Sequence, residues 1–285
     1  MKLSVIAISI CAFAILSSCG DSEPVSYSQA QIDSVRVVTP YQVDYVPLNP
    51  ARGDASPQAE VLWGDIREDV PSGVLLRFAE GFSSPPHIHN ITYRAIVISG
   101  EIHNDDPDSA NMWMGPGTFW TQPAGEVHIT SARPGLGGTG FLEILEGPYL
   151  VQPGDQVFDN GERPLNLMQS NMVWMTADEF DWIAADIKGL EVALLWGDLS
   201  SGEPSSSMLK LPAGFSGKVV SEGADIKTVT VQGQFEHAVS GLPDKTVLEP
   251  RGFFGSDEGV EHLISCDAQS ECLLYIRTAG KFRVK

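Results

Sequence analysis

Apolar positions along this chain fall into short runs, not into long stretches with helical period. Residues 74–78 (Val-Leu-Leu-Arg-Phe), 95–98 (Ala-Ile-Val-Ile) and 140–145 (Gly-Phe-Leu-Glu-Ile-Leu) are bounded by Gly, Pro, Asn and Asp, a pattern that predicts β-strands separated by turns. The pattern also repeats. Trp63-Gly64-Asp65 returns as Trp196-Gly197-Asp198, and the same offset carries Gly81-Phe82-Ser83 onto Gly214-Phe215-Ser216 and Gly100 onto Gly233. After one residue of slippage, Gly125-Glu-Val-His128 meets Gly259-Val-Glu-His262. Self-similarity over this distance predicts two tandem copies of one all-β module, at 41–153 and 173–285, joined by a polar linker at 154–172.

The only long apolar run is at the beginning. Met1-Lys2 precedes an apolar stretch from Leu3 to Leu16, then Ser-Ser-Cys19-Gly and a polar segment. The run is short for a membrane span, and its flanks suit a secretory signal. Leu16-Ser-Ser-Cys19 resembles a bacterial lipobox, which implies a signal peptide at 1–19, lipidation of Cys19, a polar tether at 20–40, and a lipid-anchored protein of the cell envelope facing the periplasm or the outer surface. Ordinary cleavage and release is the alternative.

Charge and cysteine content narrow the partners. Lys plus Arg total 18 against 37 Asp plus Glu, a formal net charge of −19, which argues against nucleic acid or an anionic membrane surface as a partner. Any attachment to a membrane is then expected through the lipid. With 42% hydrophobic residues in 285, the chain can bury a sizeable core. Cys266 and Cys272 flank Asp-Ala-Gln-Ser-Glu between two apolar runs. A hairpin there brings them together, so they form either a disulfide, which an exported compartment favours, or two buried thiols.

The candidate chemistry lies in two stretches, Gly81-x5-His87-x-His89-x3-Tyr93-x6-Gly100 and Gly117-x5-Pro123-x-Gly125-x2-His128. On a strand His87 and His89 point the same way, and a small antiparallel barrel brings His128 opposite them. Three neutral imidazoles make a recurrent site for Zn, Fe, Ni or Cu with positions left open for water or substrate.

These two stretches resemble the paired signature motifs of the cupin superfamily, with Tyr93 standing where that family has Glu. The resemblance covers residues from about 41 to the end and is closest to bicupins. It implies two tandem antiparallel barrels of the jelly-roll type, with His87, His89 and His128 as ligands of one divalent transition metal near one barrel mouth. Loss of the Glu carboxylate makes the site similar to three-histidine cupin dioxygenases and favours Fe(II), with Zn, Ni or Cu as alternatives. Tyr93 is then a hydrogen-bond donor beside the metal or a weak ligand. Glu126, two residues before His128, is a candidate ligand or general base if alternation holds, and a solvated rim charge otherwise. His103 is a pocket acid/base or an ordinary rim residue. Trp113, Phe119 and Trp120 are candidate pocket walls or core. Arg77 and Arg94 are candidate carboxylate anchors or surface ion-pair partners.

In the second module the same positions carry Val220, Glu222 and Ile226, leaving one imidazole, His262, and the Glu222 carboxylate, a poor metal site without additional ligands such as Glu236 or His237. That module is expected to be metal-free and structural, regulatory or a homodimer surface. Two function classes follow. One is a metal-dependent oxidoreductase of the dioxygenase type acting on a small organic molecule. The other is a non-catalytic lipoprotein that binds or senses a metal or small ligand.

Overall fold

The computed structural model describes residues 25–184 and 187–285; the apolar run of 3–16 and Cys19 lie outside them. The runs at 74–78 and 95–98 fall within strands Ser72–Phe78 and Tyr93–Gly100, and the run at 140–145 overlaps Gly138–Ile144, which ends one residue sooner. These three pair antiparallel at the centre of a seven-stranded sheet ordered Leu165–Leu167, Phe119–Gln122, Tyr93–Gly100, Gly138–Ile144, Ser72–Phe78, Gln58–Trp63, Val46–Pro47. Two short pairs, His87–His89 with Val151–Pro153 and Ile102–Asp105 with Ile129–Ala132, pack over its inner face. The later part of the chain builds a second set: a seven-stranded sheet centred on Asp225–Gln232 and Cys272–Ala279, and a five-stranded sheet centred on His262–Cys266.

Side-chain alternation explains why the central strands read as unbroken apolar runs. In Tyr93–Gly100, Tyr93, Ala95 and Val97 enter the core under the short pairs, while Ile96 and Ile98 enter a separate core between the two large sheets. Trp63 and Phe141 meet Phe253 and Tyr275 in that shared layer, at ring-centroid distances of 5.2–5.4 Å. Each such buried aromatic is worth roughly 1.5–3 kcal/mol. A polar contact sits inside the layer: the Tyr275 hydroxyl donates to the buried Glu143 carboxylate and accepts from the Trp196 indole N–H at 3.2 Å. Burial raises the Glu143 carboxyl above the ordinary carboxylate range. Arg94 stacks on Trp196 at 4.4 Å and Arg77 on Tyr45 at 4.5 Å, and neither lines the cavity beside His87 and His89.

Two segments read as connectors are built into the sheets. Residues 25–40, expected as part of a tether, carry the helix Gln29–Ser34, capped reciprocally by Ser28 and Gln31. Strand Arg36–Val38 then adds an edge to the second large sheet, with Arg36 opposite Gly255. Gln31 Nε2 donates to the Glu258 carbonyl at 3.1 Å, fastening the helix to the same region. The expected linker 154–172 supplies Leu165–Leu167, which pairs with Phe119–Thr121. Both strands are only three residues long, too short to show a period among polar neighbours. Cys266 and Cys272 form a disulfide with Cα atoms 6.0 Å apart. Among the described residues no helix is long and apolar enough to cross a membrane.

Candidate metal centre

His87 and His89 lie on one face of strand His87–His89, with Ile88 turned the other way into the interior. His128 is brought across by a reciprocal backbone pair, each N–H of His87 and His128 donating to the other's carbonyl at 3.0 Å. The Pro123-Ala-Gly125 turn sets this register. Gly125 adopts φ 76° and its N–H reaches the His89 carbonyl at 2.8 Å, and a Cβ there would clash with the Phe158 carbonyl. The spacing of the second motif thus places His128 beside His87, with ring centroids 4.2 Å apart.

The tautomers follow from the partners. His87 Nδ1 faces the Pro85 carbonyl at 2.9 Å, His89 Nδ1 the Leu150 carbonyl at 2.9 Å, and His128 Nδ1 the Glu126 carbonyl at 3.1 Å. A carbonyl only accepts, so each Nδ1 carries the proton and each Nε2 presents a lone pair. Ligand atoms of the three rings lie within 4.8 Å of one another. The rings are 8%, 2% and 1% exposed, and His128 Nε2 is buried with no hydrogen-bond partner. Burial lowers all three imidazole pKa values, His128 to about 3, which keeps the lone pairs free of protons at neutral pH. A buried lone pair without a donor, beside two oriented alike, is the donor set a divalent transition metal requires.

The other candidates are placed differently. The Tyr93 hydroxyl donates to Asn104 Oδ1 at 2.9 Å, which also accepts from Thr130 at 2.7 Å. Asn104 continues to Gln122 at 2.8 Å, and Gln122 to the Glu126 carbonyl at 3.2 Å, the group that orients His128. Tyr93 therefore holds the far end of a chain that positions a histidine, and burial pushes its pKa up to about 12. Glu126 acts through its backbone carbonyl; its carboxylate is half-exposed and does not line the cavity, because the glycine turn interrupts alternation just before it. His103 sits on the opposite face of Ile102–Asp105 from Asn104, accepts from the Met112 N–H at 3.2 Å, and packs on Trp113. Neither Glu126 nor His103 reaches the three imidazoles as an acid or base.

Tyr149 is the site residue that sequence reasoning missed. Its ring stacks on His89 at 4.3 Å and its hydroxyl lies 3.2 Å from His89 Nε2. It lies outside both motifs and comes close through the pairing of Val151–Pro153 with His87–His89. His87, His89, Tyr93, Tyr149 and Trp120 line the inner end of a cavity of about 380 Å³, whose walls include Leu76, Phe78 and Leu142. Of the other proposed wall residues, Phe119 belongs to the layer between the large sheets.

The place expected to be equivalent in the later part of the chain is built differently. Val219, not Val220, stands opposite His262, and this one-residue slip turns Glu222 outward to pair with Arg283. Glu236 pairs with Lys245 at 2.6 Å on the exterior. Ser256 Oγ donates to the Asp257 carbonyl at 3.0 Å and lies 2.8 Å from His262 Nε2, and His262 Nδ1 lies 2.9 Å from His237 Nε2. Both nitrogens of His262 are engaged within the protein, and no lone pairs converge.

The family model described as "Domain of unknown function (DUF4437)" matches residues 36–285. No curated protein matches the sequence. Among solved structures, the chain is similar to a Nostoc punctiforme protein provisionally described as a dioxygenase, at 14% identity and TM-score 0.62, covering 91% of this chain and 84% of that one. It is similar to salicylate 1,2-dioxygenase from Pseudoaminobacter salicylatoxidans, at 13% identity and TM-score 0.58, covering 88% and 85%. It is also similar to oxalate decarboxylase from Lactobacillus farciminis, at 11% identity and TM-score 0.55, covering 87% of each chain. At these identities the likeness is one of fold, and the fold is that of the cupins.

Proposed function

The chain belongs to the DUF4437 family, and from that starting point we propose that it is a mononuclear metal-dependent oxidoreductase of the dioxygenase type, acting on a small organic molecule. The observation that carries this reading is the convergence of three buried, proton-free Nε2 atoms, with His87 and His89 lining an apolar cavity and His128 buried directly behind them. His87, His89 and His128 would hold the ion. Once bound, a redox-active ion such as Fe(II) supplies a centre where dioxygen and an organic substrate react together. Similar folds in a salicylate dioxygenase and an oxalate decarboxylase support a site of this kind without choosing the metal.

The chain's own groups do the remaining work. The carbonyls of Pro85, Leu150 and Glu126 fix ring orientation, and Leu76, Phe78 and Leu142 exclude water around the bound molecule. Tyr149 directs its hydroxyl at His89 Nε2. With that lone pair given to a metal, the Tyr149 hydroxyl would be free to donate to a molecule bound beside the ion. Anaerobic reconstitution with Fe(II), followed by dioxygen uptake across a panel of small organic compounds, tests the reading. Tyr149→Phe should keep its metal and lose about fivefold in uptake rate, the size of one hydrogen bond of roughly 1 kcal/mol.

One observation favours the second reading, a protein that binds a ligand without turning it over: no carboxylate lines the cavity to serve as a general base. Retention of ligand with no dioxygen uptake by any metal-loaded form would select it. In either case the proposal includes export and a lipid anchor at Cys19; loss of the processed protein from the detergent phase in Cys19→Ser checks this part.

A further inference from the structure

The protein carries 37 acidic side chains against 18 basic ones, yet the apolar cavity beside His87 and His89 is lined by Arg52 and Arg67 and by no Asp or Glu. The polar side chains deeper in are neutral: Ser56, Ser84, Thr130, Tyr93 and Tyr149, with the imidazoles kept uncharged by burial. A surface so rich in carboxylates repels anions in general, so a carboxylate-free pocket with cations at its rim marks a local reversal of sign.

The two arginines differ. Arg67 is held by Asp65 in a bidentate pair, at 2.9 and 2.7 Å, which neutralises it. Arg52 forms no ion pair among the described residues. It sits on the 3-10 segment Pro50–Ala55, which is tied at its base by the Leu48 N–H to the Pro57 carbonyl at 2.8 Å and by the Asn49 N–H to Ser56 Oγ at 2.8 Å. An arginine on a pinned rim, over an apolar well with a hydrogen-bonding floor, matches a molecule with an anionic head and an apolar body. The planar fork of a guanidinium suits a carboxylate in particular.

We infer that the cavity selects small amphipathic carboxylates, with Arg52 binding the carboxylate at the rim and the apolar body extending toward His87 and His89. This deepens the proposed function and rests on it for the direction of binding, but the charge selection belongs to Arg52 and does not need the metal.

The test uses 3-phenylpropanoate, its neutral primary amide and 3-phenylpropylamine as probes, with binding followed by calorimetry on the metal-free and the metal-loaded protein. The acid should bind about tenfold tighter than the amide in both forms, as expected for one partly screened charge-assisted contact, and the amine weakest of all. Arg52→Gln should bring acid and amide to within about twofold, while Arg67→Gln should leave most of the preference. Equal binding of acid and amide, failure of the acid to bind, or a preference that survives Arg52→Gln would overturn the inference. A preference seen only in the loaded protein and unaffected by Arg52→Gln would assign the carboxylate to the metal instead, leaving the metal centre intact. A chain that takes up no metal but still selects the acid through Arg52 would overturn the oxidoreductase reading alone.

Discussion

Purified His128→Ala should lose the metal, whereas His262→Asn should retain about one ion per chain, as expected of the wild type. His128 would be the decisive ligand because its Nε2 is buried with no other partner, and its ring is held by the Glu126 carbonyl behind it. Removing it leaves two imidazoles, too few protein ligands for a stable mononuclear site. His262 is equally buried, but its two nitrogens face His237 and Ser256. The same reasoning predicts that Glu126→Gln and His103→Ala keep the metal, since neither side chain reaches the three rings. Elemental mass spectrometry on protein prepared without chelator measures all four variants, with circular dichroism confirming that each is folded. Metal retained in His128→Ala, or lost equally in His262→Asn, would refute the assignment of one centre to the first half.

Much of this centre was legible in the sequence because turn glycines and strand alternation act locally. Two histidines separated by one residue on a strand share a face, and Gly125 permits the positive-φ turn that leads the chain into His128. Tyr149 was not legible, because nothing near it in sequence shows that Val151–Pro153 pairs with the histidine strand. Glu126 shows the limit of alternation: a positive-φ glycine one residue earlier turns the carboxylate out and the carbonyl in. The mapping of the second module failed at Val220 for a related reason. A match by residue offset does not sense a one-residue slip in strand register, and such a slip exchanges inward and outward faces. The strand Arg36–Val38 was hidden because its pairing partner, Phe253–Gly255, lies more than two hundred residues away. Arg52 could have been suspected only by asking which basic residues lack an acidic neighbour in space, a question that needs the fold.

Acid should destabilise this protein steeply below about pH 6.5, with the His237–His262 pair as a main cause. An unfolded imidazole ionises near 6.5; burial holds His237 at about 4 and His262 at about 3 in the folded chain. Between those values the unfolded chain binds more protons, so the pair's stabilising effect is complete above about 6.5 and is lost as pH falls toward 3–4. Each group contributes roughly 1.4 kcal/mol per pH unit across that window, on the order of 4–5 kcal/mol for both by pH 4.5. That is a large share of the roughly 5–15 kcal/mol that holds a typical domain folded. The mechanism is geometric: protonating His262 places a second proton where its Nδ1 must accept from His237, beside the ring of Phe254 at 4.8 Å. Replacing both residues with Leu removes the titration together with the hydrogen bond, a change that need cost little at pH 7 because Ser256 Oγ loses His262 but keeps its bond to the Asp257 carbonyl. Denaturant unfolding of the metal-loaded wild type and of His237→Leu/His262→Leu, from pH 7.5 to 4.5, should show the double variant losing less stability by several kcal/mol. Parallel pH profiles for the two proteins would mean that the acid sensitivity originates elsewhere, and that the second module's imidazole pair is only a space-filling replacement for a metal site.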